Sequence, residues 1–243
     1  MKSGGGRDGR LGVGVIGDGP LGPVLASGLA GAGHAIVGVC AEGERAVDRA
    51  DALLPGVPLL PSERVVERSE LVLVDVDRPQ ERLEAFLAER TRRREWVAGQ
   101  LVVHTAPGFG TAVLAGAFDQ GVIPLAIHPA IAATGTSLDL ARLREAWCAV
   151  TAPRPVLPIA QALVVELGAE PVVVEESDRP VYAEAIATAT GFTASIVRQA
   201  TSLLAGIGVE RPGPFLSGLV RSAADNALAD ASPEDFTPPQ GPV

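Results

Sequence analysis

Gly17, Gly19 and Gly22 stand in the G-x-G-x-x-G spacing near the start of the chain. That spacing lets backbone turn tightly, lets it approach a pyrophosphate, and seats a helix close on its strand. With Asp18, Pro20 and Leu21 between them, these glycines form a candidate cofactor loop, and the following helix would aim its N–H groups at the phosphates. A second group of polar residues closes apolar runs further on: His104 with Thr105, and His128 with Pro129. Parallel strands deliver such ends to one edge of a sheet, where ligands bind in open α/β folds. A histidine there can give a proton to a substrate oxygen or nitrogen during hydride addition, since it titrates near neutrality. His128 is therefore the candidate general acid and Thr105 an orienting hydroxyl. The other reading of His128 has it bond backbone and fix the turn at Pro129. His104 reads as structural, and His34, in a helix-to-strand turn, belongs to the opposite edge.

Two acidic positions bear on the cofactor. Glu42 ends the second apolar run, 25 residues past Gly17, slightly beyond the usual spacing of about 20. Its carboxylate would accept hydrogen bonds from a ribose diol and repel a 2′-phosphate, which leans the cofactor from NADP toward NAD. A solvated Glu42 is the alternative, and Arg45 could restore NADP. Asp77 follows another strand-like run, Leu71 to Val76, and is either a cofactor neighbour or a helix cap ahead of Pro79. No metal site is expected, because the three histidines are dispersed and lack a carboxylate at helical spacing. There is no G-x-S-x-G elbow, and Lys2 is the sole lysine, which leaves no Schiff-base candidate within the fold.

The elements that must carry these residues alternate. Val13 to Ile16 reads as a strand, Leu21 to Ala30 as a helix and Ala35 to Cys40 as a strand, a complete β-α-β unit. Helices at 46–54 and 62–68, the second capped by Ser62, precede the apolar run 71–76. A helix at 82–96, a strand at 100–104, a helix at 111–120 and a strand at 122–127 follow. Strands thus recur about every 25 to 30 residues, the pattern of a doubly wound, mostly parallel Rossmann sheet. Further strands at 148–151 and 171–174, with a helix at 155–167 between them, would extend its far edge. From Pro180 the strand signal stops. Val181 to Ile207 reads as a long apolar helix with a possible interruption at Gly191, and Phe215 to Ala229 as another. These predict a dinucleotide-binding domain over 11–177, a smaller all-helical C-terminal domain over 178–232, and mobile tails at 1–10 and 233–243.

With 243 residues the chain can bury a substantial core, and its formal charge of −9 argues against a nucleic-acid partner. Cys40 and Cys148 read as buried thiols of a reducing compartment. No secretory signal is apparent, and no apolar run reaches the ~18 residues of a membrane span, so the expected location is cytoplasmic.

Several segments carry a resemblance: residues 15–22, 53–58, 101–105, 125–130 with Thr134 and Gly135 after them, and 222–228. The chain resembles Rossmann-like oxidoreductases with a C-terminal domain of unknown function, distant relatives of pyrroline-5-carboxylate reductase and the F420-dependent NADP oxidoreductases. The likeness implies an NAD(P)-binding domain, a helical domain that often makes a homodimer, and hydride transfer between nicotinamide and a small C=O or C=N substrate. It also places 189–192 at the substrate cleft, which makes Thr190 a second orienting hydroxyl. Departures from the pattern are Pro20, which has no N–H to give, Glu42, Asp77, and Gly191, where relatives carry polar residues. Relatives also continue past Val243, so a terminal helix would be missing here. These departures support a rival reading, a non-catalytic dimer that serves as a binding or regulatory scaffold with an eroded cofactor site. A third reading has the domain bind another nucleotide or a phosphorylated metabolite.

Overall fold

The computed structural model describes residues 10–77 and 81–231. The first β-α-β unit is β1 (Gly12–Ile16), α1 (Leu21–Gly31) and β2 (Ala35–Cys40), followed by α2 (Glu44–Leu53), α3 (Ser62–Arg68) and β3 (Leu71–Val74). Then come α4 (Glu81–Arg92), β4 (Leu101–His104), a 3-10 turn (Thr111–Leu114) running into α5 (Ala115–Phe118), and β5 (Ile123–Pro129). The far side adds α6 (Leu138–Leu143), β6 (Trp147–Thr151), α7 (Leu157–Glu166) and β7 (Glu170–Val173), before the long α8 (Arg179–Gly206) and α9 (Pro212–Asp230).

The seven strands form one sheet in the order β2-β1-β3-β4-β5-β6-β7, parallel throughout except for the β5–β6 pair. The chain winds outward in both directions from β1, and the gap between β1 and β3 is the switch point where such sheets open a crevice. Alternation along the strands divides the core into two layers. Val13, Val15, Leu71, Leu73, Leu101 and Val103 join one cluster with Val24, Leu25 and Leu29 of α1 and Leu163 and Val164 of α7. Ile16, Val72, Val74 and Val102 join the other with Val65 and Val66 of α3, Leu83 and Leu87 of α4, and Leu114 and Ala117. The expected doubly wound architecture is therefore present, with β6 and β7 extending the sheet.

Three local expectations change. Ser62 is the first residue of α3 rather than its cap, and its hydroxyl donates to Glu95 Oε2 at 3.0 Å. The helix expected at 111–120 is a 3-10 turn plus one short helix, as suits a segment whose Thr111, Val113 and Gly116 are weak helix formers. α8 passes through Gly191 without a break, because one glycine costs about 1 kcal/mol within a helix, less than ending it.

Contacts divide the described chain between Ile186 and Ala187, inside α8. In the second unit α9 has no buried residue, and Phe192, Ile196, Leu203, Ile207, Phe215, Leu219 and Leu228 are all exposed. No helix among the described residues is long and apolar enough to cross a membrane. The two cysteines are free thiols. Most of the terminal segments expected to be tails, together with Arg78 and Pro79, lie outside the described residues.

Candidate active site

The glycine loop closes over the C-terminal ends of β1 and β3. Gly17 holds φ +121°, a left-handed conformation that favours glycine, and its N–H donates to Cys40 O at 3.0 Å. Gly19 N–H donates to Asp75 O at 2.9 Å, and Gly22 N–H to Asp75 Oδ2 at 2.7 Å. A Cβ on Gly17 would overlap the Asp75 carbonyl, one on Gly19 would overlap the Asp75 carboxyl, and one on Gly22 would lie 3.1 Å from Asp75 Cβ. Asp75 thus stands against all three glycines, through its backbone at Gly17, its carboxyl at Gly19 and, together with Val15 Cγ1 at 2.8 Å, its Cβ at Gly22. Asp75 is there because of register. Val74 pairs with His104, so Asp75 and Thr105 emerge side by side on the face that α1 covers. Thr105 Oγ1 donates to Asp75 Oδ1. Asp75 is 5% exposed, and burial pushes its carboxyl pKa up against the opposing pull of Thr105 and the Gly22 and Leu21 N–H groups.

Beside the loop, Asp18 organises the approach to β2 and α4. Its carboxylate accepts from Asp77 N–H at 3.0 Å and from Arg82 at 2.8 Å. Burial alone would raise the Asp18 pKa, but these donors outweigh it and hold the group below the usual carboxylate range. Arg49 of α2 donates to the Asp18 carbonyl. Gly17, Asp18, Cys40, Glu42, Arg82, Phe86 and Arg90 line a cavity of about 50 Å³. Arg90 is buried with its guanidinium carbon 3.3 Å from the centre of the Phe86 ring, and desolvation lowers its pKa. The cavity therefore joins one exposed carboxylate, Glu42, to two arginines. Pro20 begins α1 without a side-chain cap, and the first turn carries no acidic residue of its own.

His128 lies on the other face. Leu125 and Ile127 point to the α1 side, so Ala126 and His128 point away from it. There His128 Nδ1 meets Tyr182 Oη at 2.8 Å, with the rings edge-on at 5.6 Å. Burial raises the Tyr182 pKa to about 12, so the phenol keeps its proton at neutral pH, and its hydroxyl also lies within donating distance of His128 O at 3.5 Å. Arg179, one turn earlier in α8, is 1% exposed and fastens this end of the helix to the sheet. It donates to Thr151 Oγ1 at 2.7 Å, Ala126 O at 3.0 Å and Ala149 O at 3.3 Å. Burial lowers its pKa to about 10, against the weaker opposing pull of Tyr182 and Glu176.

Thr105 and His128 thus reach the same sheet edge on opposite faces, Thr105 with the glycine loop and His128 with Tyr182. Thr190 belongs to the second unit, where its hydroxyl donates to Ala187 O at 3.4 Å. His104 is fully buried, with Nε2 donating to Gly110 O at 2.7 Å and Nδ1 accepting from Ala106 N–H at 3.3 Å. Burial lowers its pKa to about 4. His34 accepts from Leu11 N–H and donates to Glu166 at 2.6 Å. Sequence reasoning missed the partnership of Tyr182 with His128 and the contact of Asp75 with the glycine loop. Tyr182 is separated from His128 by 54 positions, and the Asp75 contact is recognisable only from strand register. Among the described residues no cluster of histidine, cysteine or carboxylate side chains could hold a metal ion.

A family model for the Rossmann-like domain matches residues 1–129, and one for a domain of unknown function (DUF2520) matches residues 146–242. No curated protein matches the chain. Among solved structures it is similar to a Bacteroides fragilis protein provisionally described as an NADP oxidoreductase, with TM-score 0.72 and 19% identity over 95% of this chain and 85% of that one. It is also similar to 1-pyrroline-5-carboxylate reductase from Streptococcus pyogenes, with TM-score 0.65 and 14% identity over 96% and 87% of the two chains. A Myxococcus stipitatus imine reductase solved with NADP+ gives TM-score 0.64 and 21% identity over 90% and 75%. At such identities the likeness shows a shared fold.

Proposed function

Since the chain belongs to the Rossmann-like family, we propose that it is an NAD(P)-dependent oxidoreductase moving hydride between nicotinamide and a small C=O or C=N substrate. The observation that carries this reading is the switch-point loop, where a glycine cradle opens a helix with no cap from its own N-cap residue, beside a cavity with Glu42 on its wall. These residues fit a dinucleotide. Backbone from Gly17 to Gly22, with Asp18, Pro20 and Leu21, would hold the diphosphate, while Glu42 would take the ribose diol and Asp77 would border the cofactor. Glu42 favours NAD, and the similarity of the fold to structures described with NAD+ and with NADP+ supports a nicotinamide cofactor.

The bound cofactor supplies hydride. As imidazolium, His128 serves as the general acid, giving its Nε2 proton to the substrate heteroatom and becoming neutral imidazole, with the Nδ1 proton kept toward Tyr182 Oη. Thr105 acts as an acceptor toward substrate, because its own proton goes to Asp75, and Thr190 is the second orienting hydroxyl. The exposed apolar faces of α8 and α9 are consistent with a homodimer through those helices, which a monomer in sedimentation at micromolar concentration would refute.

Turnover of a panel of small cyclic imines and ketones by His128→Ala tests the assignment. General acid catalysis contributes about 10² to 10⁴, so turnover falls by at least about 10² while cofactor affinity holds. Equal losses in both would make His128 structural. A second reading, a binding scaffold without catalysis, is favoured by the grip of Asp75 on the Gly22 N–H.

A further inference from the structure

Resting on the nicotinamide reading above, we infer that Asp75 competes from inside the protein with the cofactor diphosphate, so that the dinucleotide binds together with a proton on Asp75. The N-terminus of α1 is the anion slot of this fold. In this chain an anion of the protein's own already stands against it, with Oδ2 2.7 Å from Gly22 N and the carboxyl packed under Gly19. Among the described residues no arginine pairs with that carboxyl, and its side-chain donor is the neutral hydroxyl of Thr105.

The charged surroundings point the same way. From the end of β3, Asp77 adds a like charge that pushes Asp75 toward its protonated form. From the loop before α1, Asp18 is engaged with Arg82. From β4, His104 is held neutral by burial, and the first turn of α1 contributes no ionisable group. A diphosphate arriving at this helix end brings more negative charge beside Asp75, and a proton from solvent on the carboxyl removes the repulsion. Protonated, Asp75 donates through one oxygen and still accepts through the other.

The test is the affinity for NADH, followed by fluorescence from about pH 6.5 to about pH 8.5, for the wild type and Asp75→Asn. Uptake of one proton makes the wild-type Kd rise about tenfold per pH unit. Asp75→Asn binds with a Kd flat over this range and about tenfold or more tighter at the alkaline end. Thr105→Val, which removes a donor to the ionised carboxylate, moves the onset of the slope to higher pH, so the inference stays testable if Asp75→Asn does not fold. A flat wild-type Kd, or a slope that survives in Asp75→Asn, overturns the inference and leaves the nicotinamide reading standing. Absence of binding by every form across the whole range overturns both.

Discussion

Gly19→Ala adds a single methyl group, and the structure fixes where it goes. The new Cβ would sit 2.6 Å from Asp75 Oδ1 and closer still to Oδ2. Asp75 cannot swing aside cheaply, because Gly22 N–H and Thr105 hold its two oxygens. Overpacking a tight site costs about 1–3 kcal/mol, and losing a hydrogen bond to a charged group costs about 1.5–3 kcal/mol more. The variant should therefore lose about 3–5 kcal/mol. At about 2–4 °C per kcal/mol for a chain of this size, the melting temperature falls by about 10 °C. The decisive assay is a double-mutant cycle with Asp75→Ala, followed by thermal or urea unfolding. In the Asp75→Ala background the added methyl meets open space and costs under about 1 kcal/mol, giving a coupling of about 2 kcal/mol or more. A coupling below about 0.5 kcal/mol would show that Asp75 is not what requires glycine at position 19.

His104 predicts an acid limb of stability. Its pKa is about 4 in the fold against 6.5 for the free side chain, so below pH 6.5 the unfolded chain takes up a proton that the folded chain refuses. Stability then falls as the pH drops from about 6.5 toward 4, by about 3 kcal/mol in all. Urea unfolding at pH 7 and near pH 4.5 should show this loss in the wild type and a smaller one in His104→Gln, whose amide can still donate to Gly110 O; equal losses would contradict the assignment. At the cavity beside β2, Glu42→Ser removes the carboxylate while Arg82 and Arg90 remain, so the affinity ratio of NADPH to NADH should rise by about tenfold, or 1.4 kcal/mol. An unchanged ratio in titration would make Glu42 a solvated bystander.

The alternation of strands and helices was legible because buried parallel strands such as Leu71–Val74 are continuous apolar runs, and because the helices between them are bounded by glycine and proline. The glycine loop was legible as a motif, but the reason for its glycines was not. Spacing alone points to a ligand, whereas the structure puts Asp75 against all three, a result of the β1–β3–β4 register that no local pattern encodes. Tyr182 was hidden for a similar reason. Within its own helix it is one apolar-flanked aromatic, and it meets His128 because Arg179, buried a turn earlier, ties α8 to β5 and β6. Position 62 shows the limit of local rules at a finer scale, since Pro61 opens α3 and frees the serine hydroxyl to reach Glu95.

The central claim, that the switch-point loop holds a nicotinamide dinucleotide, is tested most directly by titrating NADH and NADPH separately and following fluorescence and melting temperature near pH 6.5 and near pH 8.5. Saturable binding is expected, tighter for NADH than for NADPH and stronger at the lower pH. No response to either nucleotide at millimolar concentration, at both pH values, would contradict the claim and leave the scaffold reading in its place.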